Sequence, residues 1–348
     1  MTHRPVSSPN VDILSEVLRT VRLRGAVFYS VTASSPWVAE APPARELAPY
    51  VMPGAEHVIE YHVVIAGNCY GGIIGGPVVR VDEGDILVFP QGDAHVLASE
   101  AGMRGPMNHE FHACASTQPL PIKVDHGGSG RDPVHVVCGF LACDASPFNP
   151  LLGALPRMLH VRRSTMSQSG VLEYFMRTAL TEAEARRAGG EVVLSRLSEL
   201  MFVEVVRHYV SSLEPSSNGW LEGLRDEIVG RALVTLHGRP TAAWTVDSLA
   251  REAGASRSAL ANRFVQCLGI PPMQYLAQWR MQLAASLLTG PKTLAQIAGE
   301  VGYGSEAAFS RAFKKIVGVA PATWRANRAR ASDPTPTSAP TGTAPHAR

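Results

Sequence analysis

Long apolar runs are missing from this 348-residue chain: none approaches the ~20 residues that span a bilayer. The N-terminus, MTHRPVSSPN, does not follow the charged-then-apolar order of a secretory signal, so a cytoplasmic protein without membrane association is expected. Cysteine is scarce. Cys69, Cys114, Cys138, Cys143 and Cys267 are odd in number, irregularly spaced and never in a Cys-x-x-Cys pair, so the usual zinc and redox spacings are absent. They read as reduced thiols packed as small hydrophobes. Cys138 and Cys143 are separated by an odd number of residues and point to opposite faces of a strand, which argues against a disulfide between them. Charge is also sparse: 18% of residues are charged and 45% hydrophobic, enough apolar material for two folded domains.

The net charge of +2 conceals an asymmetry. Residues 219–330 carry 14 Lys and Arg against 7 Asp and Glu, whereas residues 1–218 carry 17 against 22. A basic third on an acidic remainder suits a polyanion-binding module carried by a different domain.

That basic third contains a repeat. LAREAGASRSALANRFVQCLGIPPMQYL (249–276) lies over IAGEVGYGSEAAFSRAFKKIVGVAPATWR (297–325), pairing Leu249-Ala250 with Ile297-Ala298 and Gly254 with Gly302. Ser256 then pairs with Ser305, Phe264 with Phe313, Gly269 with Gly318, Pro272 with Pro321 and Tyr275 with Trp324. Each copy predicts a short helix, a glycine turn and a second helix, the helix-turn-helix layout. Ala250 and Ala298 allow close packing of the second helix. Thr293 with Gln296 forms a capping-box pattern, and Thr245 is a single-residue cap. Met273, Leu276, Trp279, Leu283 and Leu287 suit a connecting helix. Two second helices on one connector suit successive major grooves of double-stranded DNA.

In the second unit, Ser305 is the N-cap, while Glu306, Ala307, Ser310 and Arg311 are expected at the groove and Lys314 and Lys315 toward phosphate. The equivalent stretch of the first unit is Arg257, Ser258, Ala261, Asn262 and Arg263. Arg311 and Asn262 are the expected base readers, because guanidinium pairs with guanine and carboxamide with adenine in bidentate fashion.

On these residues, Trp220 to Arg330 resembles the DNA-binding domain of the AraC/XylS family of bacterial transcription regulators. The strongest resemblance lies in the Gly-Tyr-Gly-Ser turn, the Phe309, Arg311, Phe313 and Lys314 pattern, and Gly318 with Pro321. Asn262 departs from the arginine of many relatives. Ala261 and Ala307 leave fewer base-reading side chains than some members have.

Residues 58–99 show β-rich runs divided by glycine turns, and Gly84, Pro90, Gly92 and His95 fit the cupin spacing Gly-x5-Pro-x-Gly-x2-His. The segment resembles the cupin sensor domains attached to such DNA-binding domains, as does VHVVCGFLACDASPFNPLLGALPRMLHV (134–161). This resemblance implies an antiparallel jelly-roll barrel with an effector inside. A catalytic cupin has a His-x-His pair in its first motif, and GAEHVIEYHVVIAG has none. Glu60 and His62 share a strand face, with His95 able to approach; all three are assigned to an effector pocket, with no cofactor or metal. The alternatives are a metal-dependent cupin enzyme and a thiol-based redox-sensing regulator.

Leu172, Phe175, Met176, Ala179 and Leu180 recur at helical spacing, as do Val193, Leu194, Leu197, Leu200, Met201, Val205 and Tyr209. Stripes this broad predict a dimerisation helix pair. The expected fold class is α+β and multidomain: a cupin-like barrel (1–165), a helical dimerisation or linker region (166–218), an all-α double helix-turn-helix domain (219–330) and a disordered Pro/Thr/Ala-rich tail (331–348). The expected function is a regulator, not an enzyme, that binds promoter DNA and a small-molecule effector, forms a homodimer and acts through RNA polymerase.

Overall fold

A computed structural model describes residues 12–107, 120–165, 170–185, 187–213 and 219–332. Cys114, residues 214–218 of the expected linker and most of the expected tail lie outside these residues.

The N-terminal region is built from helix α1 (Ile13–Thr20), strands β1 (Arg24–Ser35) and β2 (Val38–Ala41), helix α2 (Ala44–Val51), and strands β3 (His57–Ala66), β4 (Asn68–Ile73), β5 (Val78–Asp82), β6 (Ile86–Phe89), β7 (His95–Ala98), β8 (Ile122–Asp125) and β9 (Arg131–Cys143). Helix α3 (Pro150–Ala154) and strand β10 (Leu159–Val161) complete it. The strands form a six-stranded sheet, β10-β6-β3-β9-β1-β8, and a four-stranded sheet, β2-β7-β4-β5. The expected antiparallel jelly-roll barrel is seen as two sheets, and one pairing, β1 with β8, is parallel. Among the described residues neither sheet closes, and apolar side chains rather than a continuous ladder of hydrogen bonds join the two. The chain crosses from the first sheet to the second at Pro36, which has no amide hydrogen to give a ladder.

The six-stranded sheet is apolar on both faces, so its strands read as nearly unbroken hydrophobic runs. Val136, Cys138 and Phe140 of β9 face the four-stranded sheet, whereas Val137, Leu141 and Cys143 face the helices. The predicted opposite placement of Cys138 and Cys143 is thus what the strand shows. Tyr61 lies across Gly139 on the helix side, where any Cβ would fall 2.2 Å from the phenol oxygen.

Two further helices cover that face, α4 (Val171–Ala185) and α5 (Gly190–Ser212). Leu194, Leu197, Met201 and Val205 of α5 are buried, and Ser198 meets the Tyr61 hydroxyl at 2.8 Å. Ser195 donates to the Gly25 carbonyl at 2.9 Å and Glu199 accepts from the Gly25 amide at 3.1 Å, satisfying β1 where β8 no longer flanks it. Val192, Val193 and Leu200 remain exposed on the outer side of α5. On α4, Phe175 and Ala179 are buried; the side chains of Leu172 and Leu180 lie outside the described residues.

The C-terminal region is helical: α6 (Trp220–Arg225), α7 (Glu227–Gly238), α8 (Val246–Glu252), α9 (Arg257–Leu268), α10 (Pro272–Leu288), α11 (Leu294–Glu300), α12 (Glu306–Val317) and α13 (Pro321–Ser332). Its first half shares one apolar core with the N-terminal region, continuous from Ile13 and Val17 through Leu152 and Phe202 to Leu233, Phe264 and Trp279. The Phe148 ring meets Tyr275 edge-on at 5.4 Å, and the Phe148 amide donates to Gln282 at 3.0 Å. A buried polar chain crosses the same seam. Trp220 Nε1 donates to the Tyr275 hydroxyl at 2.8 Å, and that hydroxyl lies 2.8 Å from His237 Nε2, leaving His237 Nδ1 to donate to Glu16 of α1 at 3.0 Å. The second half has its own core of Met281, Leu288, Ile297, Val301, Phe309 and Phe313.

Candidate functional site

The repeat folds as two matching units, α8 with α9 and α11 with α12, joined by α10. Ser256 and Ser305 each accept a backbone amide at 3.2 Å to start α9 and α12, and Gly269 and Gly318, both left-handed, end them. Thr245 exceeds the expected single cap: with Ser248 it makes a reciprocal capping box, matching that of Thr293 and Gln296. Leu260 and Phe264 in one unit, and Phe309 and Phe313 in the other, are fully buried. Their burial fixes which faces remain outside.

Arg257, Ser258, Asn262 and Arg263 are exposed on α9, with Ala261 half-buried. Ser305, Glu306, Ala307, Arg311, Lys314 and Lys315 are exposed at α12, with Ser310 half-buried. The two helices differ in what holds their cations. Arg263 is bonded to Asp226, the N-cap of α7, at 2.6 Å, and Arg257 lies 3.3 Å from Asp247. Arg280 of α10, which the residue pattern did not single out, donates to the carbonyls of Pro240 at 2.7 Å and Ala242 at 2.8 Å and stacks over Tyr303 at 5.7 Å. It clamps the second unit's turn to the first unit. No periodicity marks such a residue; only its position on a connector does.

The second site is a cavity of about 310 Å³ between the two sheets. Its wall is largely apolar, including Tyr29, Trp37, Leu97, Val136, Cys138 and Phe140. The polar groups converge at one end. Glu60 and His62 project from β3 as their two-residue spacing predicts, and His95 opens β7 opposite them. His62 Nε2 and His95 Nε2 lie 2.7 Å apart, and His95 Nε2 is 3.8 Å from Glu60 Oε2. The Phe89 ring stacks on His95 at 3.9 Å. Burial drives the Glu60 carboxyl well above the usual carboxylate range.

Glu40 also lines the cavity; it is paired bidentately with Arg104 and accepts the Gly105 amide at 2.9 Å, and the Arg104 bond holds its carboxyl below the usual value. The sequence reading missed Tyr29, Trp37, Glu40 and Phe140. Alternation along β1 and β9 identifies inward positions, but not which of them meet across the sheets.

Three of the thiols, Cys69, Cys138 and Cys143, are buried among the described residues. Burial pushes Cys69 and Cys143 up to about 12 and raises Cys138 further, so none of the three is held as a thiolate.

Residues 12–211 match the cupin family and residues 249–327 match a helix-turn-helix domain family. A Streptomyces lividans protein described as an AraC-like transcription regulator is 30% identical over 90% of this chain and 98% of its own. The HTH-type transcriptional regulator AlkR of Acinetobacter baylyi is 27% identical over 90% and 99%. A transcriptional regulator structure from Chromobacterium violaceum, of the kind containing an AraC-type DNA-binding domain, covers 31% of this chain and 96% of its own at 28% identity, with a TM-score of 0.29.

Proposed function

Because the chain belongs to the AraC-like family of DNA-binding transcription regulators with a cupin domain, we propose that a small molecule in the inter-sheet cavity controls how it binds promoter DNA. The observation that carries this reading is the double duty of β9. Val136, Cys138 and Phe140 wall the cavity, and one residue beyond the strand Asp144 accepts from Arg328 of α13 at 3.4 Å. A ligand that favours one position of β9 therefore favours one docking of the DNA-binding region, which is the differential affinity that coupling requires. The lining suits a small, mostly apolar molecule with a polar end directed at Glu60, His62 and His95.

On the DNA side, Arg311 and Asn262 read bases, Lys314 and Lys315 hold phosphate, and occupancy of the cavity alters recruitment of RNA polymerase in the cytoplasm. The chain acts as a homodimer, with Val192, Val193 and Leu200 of α5 against a second copy, so that two DNA-binding regions occupy neighbouring half-sites.

The test is selection of genomic DNA fragments by the purified protein at fixed salt, with Arg311→Ala and Asn262→Ala alongside. One enriched motif with two contacts about a helical turn apart, degraded in the variants, is expected. Sequence-blind retention by all three proteins would sink the DNA reading. Equal promoter affinity and output with and without cavity ligand would sink the control. Sedimentation of Leu200→Asp as a monomer beside a dimeric parent is expected for the α5 interface.

A further inference from the structure

Helices α9 and α12 match in backbone and differ in what they turn outward. On α9, Leu260, Phe264 and Cys267 are buried, so the opposite side, at i, i+4, i+7 and i+8, consists of Ser258, Asn262, Val265 and Gln266, all exposed. The same positions of α12, opposite Phe309 and Phe313, are Ala307, Arg311, Lys314 and Lys315. One outward face thus carries no charge, and the other carries three cations. The arginines of α9 stand at its flanks instead, where Asp247 of α8 holds Arg257 at 3.3 Å and Asp226 holds Arg263 at 2.6 Å. Among the described residues no carboxylate pairs with Arg311, Lys314 or Lys315.

Val265 is a position that the search for polar base readers passes over. At 42% exposed, it is the large apolar side chain that the C-terminal helices leave outside, among the described residues. It lies one turn beyond Asn262, about 4.5 Å along the helix axis, close to the roughly 3.4 Å that separates base pairs. A carboxamide pairs with the N6 and N7 edge of adenine, and the group that an apolar side chain meets in the same groove is the C5-methyl of thymine. Lysine at the equivalent position 314 carries its charge past the base edges on a four-carbon stem. Valine ends at its Cγ atoms and meets only what lies against the helix.

We propose that the two units read half-sites of unlike composition: the first takes A·T pairs, with Val265 on a thymine methyl beside the adenine of Asn262, and the second takes guanine and the neighbouring phosphates. This rests on the reading of Asn262 and Arg311 as base readers. Gln266 gives an uncharged hydrogen bond where Lys315 gives a charged one, so the first unit adds sequence preference with little counterion release. The salt-dependent part of the affinity belongs to the second unit. The site of one chain is therefore directional, and its A·T half fixes which way the DNA-binding region points.

The experiment uses the full-length chain and the motif that genomic selection returns. The half-site blurred by Asn262→Ala is expected to be built of A·T pairs, and the one blurred by Arg311→Ala to hold a guanine. Each thymine of the first half-site is then replaced by uracil, which lacks only the C5-methyl. One such replacement is expected to weaken the parent several-fold and to leave the already weakened Val265→Ala unaffected. Val265→Lys is expected to erase the methyl dependence and to steepen the salt slope by about one, while Lys314→Ala flattens it by as much. Circular dichroism checks that these surface variants are folded. No methyl effect at any thymine, an effect that persists in Val265→Ala, an unchanged slope in Val265→Lys, or a guanine-bearing half-site under Asn262 would overturn the inference and leave a base-reading regulator. Sequence-blind retention of DNA by the parent would instead remove the reading on which the inference rests.

Discussion

Arg328, in the last helix of the DNA-binding region, lies 2.7 Å from Glu56, just ahead of the strand that carries Glu60 and His62. It also reaches Asp144, which Arg22 holds at 2.7 Å, so two arginines and two carboxylates close the seam between the regions. Glu56 itself accepts the amides of Ala145 and Ser146 at 3.1 Å. Arg328→Ala leaves two partly buried carboxylates with less compensation and is expected to lower stability by about 1–3 kcal/mol, read by urea unfolding. Faster amide exchange in α13 and along β9, with the cavity strands otherwise unchanged, is the accompanying signature. Unchanged exchange at the seam would mean that the apolar core alone holds the docking.

Glu40 supplies a pH dependence. Its folded carboxyl is held below the ordinary value by Arg104, so it binds fewer protons folded than unfolded near pH 4. Its contribution is complete above about pH 4.5 and is lost as pH falls through the folded value. Glu40→Gln is therefore expected to melt lower than the parent at pH 7, with the gap closing in acid. A constant gap from pH 7 to pH 3 would contradict this.

The turn glycines of the two units are equivalent in sequence but not in surroundings. Both are left-handed, at φ +67° for Gly254 and +80° for Gly302. A Cβ on Gly254 meets only the Arg231 side chain, at 3.5 Å, whereas one on Gly302 falls 2.7 Å from the Thr241 carbonyl oxygen. Gly254→Ala is expected to destabilise by about 1–2 kcal/mol through backbone conformation alone. Gly302→Ala should lose more, because backbone must also move; thermal unfolding of the pair gives the order.

The cations of the DNA face are expected to divide by what holds them. Arg311→Ala should relax discrimination at one base position by about 1–3 kcal/mol in a binding-site library. Lys314→Ala should weaken all sequences alike and reduce the salt slope by about one. Arg263, bonded to the N-cap of α7, should show its effect in the melting temperature instead; a loss of base preference in Arg263→Ala would add it to the base readers.

The helical half was legible because its determinants are local. Ser256 and Ser305 start helices, Gly269 and Gly318 end them, and the spacing of Leu260 with Phe264, or Phe309 with Phe313, declares the buried face whatever lies around it. The β half was legible in outline only. Alternation placed Glu60 and His62 on one face and set Cys138 opposite Cys143, but the same pattern serves a closed barrel and two facing sheets equally well.

By itself, then, the sequence determined the two helix-turn-helix units, their exposed cationic residues and the convergence of Glu60 and His62, all of which follow from contacts within a few residues along the chain. Only the tertiary structure decided that the sheets stay open, that Tyr29, Trp37, Glu40 and Phe140 complete the cavity, and that Arg328 meets Glu56 and Asp144. Those relations join residues far apart in sequence, and pairing at such range is set by how whole elements pack, which no local spacing encodes.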